Sequence, residues 1–214
     1  MGQPLLIDLV ADVVCPWCYL GWRRVLSAVA LRPDVEPVIL WRPYMLDPTL
    51  PEQGADRKAY MAGKFKDPVK LKAVHTALVE AGAEEGVVFN FEAIALAPNT
   101  SAAHRLIRWA QGAGRQDAVV EGLFAAYFTQ GRDIGDPQVL AAIGEEAGMD
   151  PVVILQLLSE GADKEVVAQE HAMAVRGGVT GVPFAIFGGK LAVVGAESPE
   201  NIAEAIDKAL ETAA

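Results

Sequence analysis

Cysteine, histidine and basic residues are scarce in this sequence, and it has no long apolar run. The 214 residues include two cysteines and three histidines, and 18 lysines and arginines stand against 28 aspartates and glutamates, which gives a net charge of −10. Two cysteines are too few for a disulfide framework. The acidic balance argues against a nucleic acid partner, because phosphate binding depends on lysine and arginine. No apolar stretch approaches the roughly 18 to 20 residues that cross a bilayer.

The first twelve residues do not resemble a targeting signal. They lack a basic leader, and their only apolar run contains Asp8 and Asp12. We therefore expect a soluble, cytoplasmic protein with no membrane or nucleic acid partner.

The N-terminal forty residues predict a strand, a helix and a second strand. Residues 5–10 are almost entirely aliphatic, which is typical of a buried strand. A helix should follow over 16–31, because Pro16 suits a first helical position. Residues 35–41 are rich in β-branched side chains and predict the next strand. This order is typical of a parallel βαβ unit.

Strand patterns return near the C-terminus. Residues 182–187 and 190–194 flank a Gly-Gly pair, which predicts a β-hairpin with a two-residue turn. Residues 199–212 have amphipathic helical spacing, and Ser198 is a suitable N-cap. The chain therefore ends in a ββα unit.

The middle of the chain predicts helices. Three Asp-Pro pairs, beginning at Asp67, Asp136 and Asp150, are typical of a capping carboxylate followed by a proline at the first helical position. Val87–Phe91 is apolar, but it has no strand partner nearby in sequence, so we expect an extended loop there. The expected helices lie near residues 55–65, 68–84, 100–112, 116–129, 137–147, 151–159 and 162–177.

These elements together predict an α/β fold class. The two strand-bearing ends of the chain would join in one thioredoxin-like fold, with a large all-helical insertion between the βαβ and ββα halves. Residues 1–45 and 178–214 would form the thioredoxin-like domain, and residues 46–177 the helical insertion domain.

A C-x-x-C motif stands where the first helix should begin. If Cys15 caps that helix, the positive end of the helix stabilises a thiolate on Cys15. Cys18 would then lie in the first turn, close enough to resolve a mixed disulfide formed on Cys15. Asp8 and Asp12 would either oppose the thiolate by their charge or transfer a proton to Cys18. The sequence leaves both roles open.

The two cysteines have other interpretations. They could simply pack as small apolar residues. They could also form half of a zinc site, which would have to recruit two of His75, His104 and His171, whose spacing is unlike that of a zinc finger. The proline inside the motif, the strand before it and the helix after it favour redox chemistry instead. We expect no metal site.

Five segments resemble one family. Asp12–Gly21 resembles the start of the DsbA-type thioredoxin-fold family, most closely its FrnE-like cytoplasmic branch. Trp41–Pro48 is similar to the loop after that branch's second strand, and Asn99–Leu106 to its helical-domain signature. Gly178–Phe184 resembles the family's cis-proline loop, and Gly195–Glu197 the end of the following strand. The resemblance spans nearly the whole chain.

The resemblance implies roles for individual residues. Pro183 would be a cis-proline that keeps a backbone donor away from the catalytic sulfur, although X-Pro bonds in general favour trans. Val182 would offer its backbone to an extended substrate. His104 is more typical of a packing residue than of a catalytic base, and Asn99 also suits a helix cap. The expected catalytic residues are Cys15, Cys18 and Pro183, and the expected substrate-binding residues are Pro16, Trp17, Met45, Asn99, Val182 and Glu197.

Three functions are consistent with this pattern. The first is a thiol–disulfide oxidoreductase or isomerase that acts on disulfide- or thiol-containing proteins, with Cys15 as nucleophile and Cys18 as resolving thiol. The second is a glutathione-dependent isomerase or transferase related to 2-hydroxychromene-2-carboxylate isomerase and kappa-class glutathione transferase, which have Ser in place of Cys15. The third is a non-enzymatic peptide-binding module with an apolar groove around Trp17 and Met45. We expect no resident cofactor, with glutathione a candidate reductant or ligand.

Overall fold

The computed structural model describes residues 2–211, and these group into two units. One unit joins the chain up to Tyr44 to the chain from Glu170 onward, and the other is Met45–Gln169. The domain limits expected from the sequence stay a prediction.

Six strands and nine α-helices make up the described part of the chain. The strands are β1 (Gln3–Ala11), β2 (Val35–Pro43), β3 (Ala55–Asp56), β4 (Leu96–Ala97), β5 (Phe184–Phe187) and β6 (Leu191–Val194). The helices are α1 (Pro16–Ala30), α2 (Arg57–Lys64), α3 (Pro68–Glu84), α4 (Ser101–Gly112), α5 (Gln116–Phe124), α6 (Pro137–Glu146), α7 (Pro151–Ser159), α8 (Lys164–Arg176) and α9 (Pro199–Glu211). A 3₁₀ turn covers Phe91–Ala93, and a π-helical turn covers Ala125–Thr129.

The first unit contains a four-stranded sheet in the order β2-β1-β5-β6. β1 pairs with β2 in parallel and with β5 in antiparallel, which confirms the βαβ unit and places the C-terminal hairpin beside it. Gly188 and Gly189, between β5 and β6, have φ values of 59° and 69°. Positive φ at both glycines is what a tight turn requires, so the expected Gly-Gly hairpin is confirmed. Phe187 pairs with Leu191, so Lys190 joins the two glycines in a three-residue connection, one residue longer than expected.

The core of the first unit lies on one face of this sheet. Leu5, Ile7 and Leu9 alternate along β1 and are all buried. α1 and α9 contact each other, and α9 also contacts β5 and β6. Trp22 of α1 packs edge-on against Trp41 of β2, with ring centroids 5.2 Å apart. α1 therefore packs against β2 through Trp22, in its second turn. Thr212, to which the sequence extends α9, lies outside the described residues.

The second unit is mostly helical, and its three Asp-Pro caps are confirmed. The carboxylates of Asp67, Asp136 and Asp150 accept backbone N–H groups at the starts of α3, α6 and α7, and each helix has proline at its first position. Each cap satisfies a donor that the helix itself leaves without a partner, which is worth about 1 kcal/mol.

The insertion is helical as expected, and it also contains one short pair of strands. β3 and β4 pair in antiparallel, Ala55 with Ala97 and Asp56 with Leu96. Two residues are too few to show the alternating pattern of a strand, and Asp56 also caps α2 by accepting the Ala59 N–H. The helix expected near 55–65 accordingly begins two residues later.

Two further helices differ from the sequence prediction by two residues or more, and β5 begins two residues later than expected. The helix expected over 116–129 ends as a regular α-helix at Phe124 and continues as the π-helical turn. The helix expected from 162 begins at Lys164, after Asp163 with a φ of 59°. Val87–Phe91 lies outside the strands as expected, although Phe91 begins the 3₁₀ turn.

His75 of α3 is half-buried against an aromatic cluster in the second unit. Its ring stacks on Phe91 with centroids 4.1 Å apart. Burial lowers the pKa of His75 from its ordinary value of 6.5, and the charge of Arg57 lowers this pKa further, while Glu92 opposes the shift. The folded protein therefore favours neutral His75.

We predict that His75→Phe reduces the loss of stability on acidification. As pH falls through 6.5, the unfolded chain takes up a proton on His75 before the folded chain does, so the native protein loses stability. Phenylalanine keeps a ring to stack on Phe91 and removes the titration. Denaturant unfolding on both sides of this pH measures the effect, and the variant should lose less stability than the wild type. Equal losses would contradict the assignment.

Candidate functional site

Cys15 occupies the N-cap position of α1. Its backbone is extended, with φ −93° and ψ 113°, and its N–H donates to the Asp12 carbonyl at 3.0 Å. Pro16 follows as the first helical residue, where its missing N–H costs no hydrogen bond. The Cys15 carbonyl accepts N–H groups from Cys18 and Tyr19 at 2.9 and 3.2 Å. The sulfur of Cys15 therefore sits at the positive end of the helix.

The two cysteines differ in their exposure and surroundings. Both are free thiols; Cys15 is 5% exposed and Cys18 is 0% exposed. Burial raises the pKa of the Cys18 thiol well above its usual range, and hydrogen bonding to Cys15 and the charge of Cys15 raise it further. Cys18 is therefore held as a neutral thiol in this structure.

Asp8 and Asp12 prove to be unlike each other. The Asp8 carboxylate accepts a hydrogen bond from Arg42 Nε of β2 at 2.6 Å, forming an ion pair. Asp12 follows the end of β1 and is only 1% exposed. The charge of Asp12 raises the pKa of Cys18, while a hydrogen bond with the Asp12 backbone lowers it. Of the two carboxylates, Asp12 is therefore the one coupled to the buried thiol.

The loop before β5 faces Cys15. The Cys15 thiol donates to the Val182 carbonyl across 3.7 Å, and the Val182-Pro183 peptide bond is cis. The general preference of X-Pro bonds for trans gives the wrong prediction here, whereas the family resemblance implies the cis bond that is observed. Gly195 N–H donates to the Pro183 carbonyl at 2.8 Å, which ties the loop to the end of β6.

Gly21 allows α1 to approach this loop, and sequence reasoning assigned it no role. A Cβ atom at Gly21 would lie 2.8 Å from Pro183 Cγ and 3.7 Å from Ala196 Cβ. Glycine inside a helix costs about 1 kcal/mol relative to alanine, so its presence there is the signal that could have marked this contact.

The turn after β6 makes two polar contacts within the first unit, through Ala196 and Glu197. Arg24 Nη1 donates to the Ala196 carbonyl at 2.6 Å, another contact that the sequence did not indicate. The exposed Glu197 accepts a hydrogen bond from Asn201 Nδ2 at 3.0 Å. Glu197 thus stands at the start of α9, and its substrate-binding role stays a prediction.

The remaining expected site residues are divided between the units. Trp17 is 38% exposed and lies two residues from Cys15, beside the half-buried Pro16. Met45 and Asn99 belong to the second unit, where Met45 is buried. Asn99 Oδ1 accepts the Ser101 N–H at 3.0 Å, so this side chain serves the start of α4. Substrate binding by these residues stays a prediction.

Other potential site chemistry is limited in the described residues. His104 is buried in α4, as expected for a packing residue. Within residues 2–211, no three His, Cys, Asp or Glu side chains are grouped to hold a metal ion. In the same part of the chain, no helix has the length and apolarity needed to cross a membrane.

A mixed sheet with a C-x-x-C pair at the start of its first crossover helix is the arrangement of a thioredoxin fold. The family model described as "DSBA-like thioredoxin domain" matches residues 6–207. The chain therefore belongs to the DSBA-like thioredoxin domain family. It is also 27% identical over 184 residues to the uncharacterized protein YwbO of Bacillus subtilis (strain 168), covering 85% of this chain and 86% of that protein.

Solved structures share this fold. A probable DsbA oxidoreductase from Streptomyces coelicolor is 25% identical, with a TM-score of 0.88 over 97% of this chain and 90% of that one. The cytosolic disulfide reductase DsbM from Pseudomonas aeruginosa, solved with GSH, is 17% identical, with a TM-score of 0.62 over 97% and 98% of the two chains. A 2-hydroxychromene-2-carboxylate isomerase is 19% identical, with a TM-score of 0.69 over 97% of each.

We predict that Gly21→Ala destabilises the first unit and weakens thiol chemistry. The added methyl group would meet the Pro183 ring at 2.8 Å, so the loop that faces Cys15 must shift. Overpacking of this kind costs roughly 1–3 kcal/mol. The control is Gly63→Ala in α2, where a Cβ would meet no atom within 4 Å. Urea unfolding and Cys15 alkylation rates measure both variants, and equal behaviour would contradict the steric role of Gly21.

We also predict that Asp12→Asn lowers the pKa of the Cys18 thiol. The change removes a negative charge that disfavours a thiolate on Cys18. In a Cys15→Ser background Cys18 is the only thiol, so the pH dependence of its alkylation reports this pKa directly. Asp8→Asn is the matched control, because Asp8 is paired with Arg42. A shift as large for Asp8→Asn as for Asp12→Asn would refute the assignment.

Proposed function

We propose that this protein is a thiol–disulfide oxidoreductase or isomerase in which Cys15 is the nucleophile and Cys18 the resolving thiol. The observation that carries the proposal is the unequal placement of two free thiols. Cys15 stands at the helix N-terminus facing Val182, whereas Cys18 is fully buried behind it. An incoming disulfide would meet the sulfur of Cys15 first.

The exchange balances without a cofactor. The Cys15 thiolate attacks one sulfur of a substrate disulfide, forming a mixed disulfide and releasing the other sulfur as a thiolate. Cys18 then loses its proton and attacks Cys15 Sγ, which releases the second substrate thiol and leaves a Cys15–Cys18 disulfide. The substrate is reduced by two electrons and the protein is oxidised by two. Two molecules of a thiol such as glutathione would restore the dithiol and leave as their own disulfide.

Deprotonation of Cys18 is the step that its surroundings oppose. Burial favours the neutral thiol, so the proton needs a nearby acceptor when Cys18 attacks. The coupled carboxylate of Asp12 is the candidate for that acceptor. In this proposal Asp12 receives the proton from Cys18 during resolution and returns it when the dithiol is restored.

Substrate recognition would use backbone and aromatic surfaces near Cys15. The backbone of Val182, beside the cis bond, would pair with an extended substrate segment. The exposed ring of Trp17 would contact apolar side chains of that segment. Both features suit unfolded or flexible proteins whose disulfides are accessible.

The direction of exchange follows from the compartment we propose. The sequence resembles the FrnE-like cytoplasmic branch, and one fold neighbour is a cytosolic disulfide reductase. A cytosolic glutathione poise of about −220 to −320 mV keeps most dithiols of this class reduced. The reduced pair would therefore act as reductase or isomerase.

Glutathione-dependent isomerisation or transfer is the second candidate function. It is favoured by the fold shared with 2-hydroxychromene-2-carboxylate isomerase and with a DsbM structure that contains GSH. Val182 and Glu197 are the residues proposed to contact glutathione. That chemistry has no need of a resolving thiol, whereas this chain has Cys18 beside Cys15.

We predict that Cys18→Ser abolishes turnover of protein disulfides while trapping substrate. Cys15 would still attack, but no second thiol would release the mixed disulfide. Insulin-disulfide reduction should fall to the uncatalysed rate, and mass spectrometry should find Cys15 joined to an insulin chain. Cys15→Ser is the matched control, and it should show neither turnover nor the trapped species.

Other outcomes of the same experiment separate the alternatives. Full activity of Cys18→Ser toward a glutathione-dependent isomerase substrate, with no trapped insulin, would favour the glutathione function. Peptide binding that survives in both variants, with no disulfide turnover in the wild type, would favour the non-enzymatic module.

A further inference from the structure

A strongly basic segment stands out in this acidic protein. Residues 57–72, which cover α2 and the start of α3, contain six basic residues and one acidic residue, Asp67. The segment carries +5 in a chain of net charge −10, so the rest of the chain carries −15. The six basic residues are Arg57, Lys58, Lys64, Lys66, Lys70 and Lys72.

Helix stability does not account for three of these six basic residues. Arg57 and Lys58 open α2, Lys70 and Lys72 lie near the start of α3, and the first turn of either helix has no acidic residue. The positive end of a helix dipole favours acidic side chains and disfavours basic ones. Arg57, Lys58 and Lys70 thus stand where the dipole disfavours them, which is expected where charge serves binding. Lys64, in the last turn of α2, is placed where the dipole favours it.

Apolar side chains are exposed among these lysines. Residues 62–70 are exposed throughout, and within them Phe65 is 40% exposed and Val69 is 76% exposed. Lys64 extends over the Tyr60 ring, with Nζ 5.4 Å from its centroid. Within residues 2–211, the Lys66 and Lys70 side chains form no ion pair. We name Lys64, Phe65, Lys66, Val69 and Lys70 the basic apolar patch.

We propose that the basic apolar patch docks an acidic polypeptide segment that carries aliphatic or aromatic side chains among its aspartates and glutamates. The lysines would meet the carboxylates, and Phe65 and Val69 would meet the apolar side chains. Burial of such anchors provides affinity, and the charges direct the encounter. The docked chain is a partner polypeptide, held by the patch itself and not by the dithiol.

A short acidic chain fits the patch better than an anionic membrane or a nucleic acid. Both alternatives are extended arrays of negative charge, which a chain of net charge −10 repels, whereas a short peptide can be confined to the patch. At physiological ionic strength, charges more than about 8 Å apart are largely screened from each other. A peptide on the patch therefore responds to the positive charge of the patch more than to the negative charge of the whole protein. Arg57 carries the guanidinium of the segment, and this group already donates to Tyr127 OH at 3.0 Å. The charges that meet a partner are therefore those of the lysines.

The test uses the full reduced protein and a short fluorescent peptide that alternates glutamate with leucine. Fluorescence anisotropy should show binding that weakens as salt is added. The double variant Lys66→Glu/Lys70→Glu should weaken binding by roughly tenfold or more. The control Arg176→Glu/Lys208→Glu makes the same change in net charge at exposed positions outside the segment, and it should bind like the wild type.

A stability measurement separates docking from folding. A glutamate at position 70, in the first turn of α3, favours the helix dipole, so the reversal should not lower stability even as it removes binding. Lys66→Gln/Lys70→Gln gives a second variant without added acid, and Phe65→Ser/Val69→Ser tests the apolar anchors. Both should weaken peptide binding while insulin reduction persists.

Three results would overturn the proposal. The first is unchanged peptide binding in the patch variants. The second is equal binding of a glutamine–leucine peptide, which has no charge. The third is binding of phosphatidylserine vesicles or single-stranded DNA without binding of the acidic peptide, which would assign the patch to a membrane or to nucleic acid. If the wild type did not reduce insulin, only the function proposed for the dithiol would be overturned, and the proposal for the patch would stand.

Discussion

The site in the first unit depends on the close packing of Gly21 against Pro183. These residues are far apart in sequence, yet a single Cβ atom would fill the space between them. Because Gly21 has no side chain, α1 can lie against the loop before β5. The Cys15 thiol then reaches the Val182 carbonyl. The candidate site therefore exists only after the N-terminal βαβ unit and the C-terminal hairpin have joined in one sheet.

The same packing makes the two cysteines unequal. Both cysteines are buried, Cys15 at the N-cap of α1 and Cys18 in its first turn, while Trp17 between them is 38% exposed. Cys15 gains the helix N-terminus and a neighbouring loop, and Cys18 gains burial and the charge of Asp12. A three-residue spacing in sequence thus gives the two thiols different surroundings, which the proposed roles of nucleophile and resolving thiol need.

Local signals predicted most of the elements, and non-local contacts explain what they missed. The Asp67 cap and the Gly188-Gly189 turn were predictable because each acts within a few residues of itself. β3 and β4 pair across some forty residues and are too short to show a pattern. Asp8 and Asp12 were indistinguishable in sequence, because the difference comes from Arg42 on another strand and from burial. Gly21 acquired its role only through Pro183.

The features tied to function are places where the chain departs from local rules. A helix interior disfavours glycine, a protein core disfavours a carboxylate, and a helix N-terminus disfavours lysine. Gly21, Asp12 and Lys70 break these rules, whereas Asp136 and Asp150 follow the capping rule. Local preferences for helix and burial alone would not select the first three. Their presence is explained if one permits the approach of a loop, one governs a buried thiol, and one meets a charged partner.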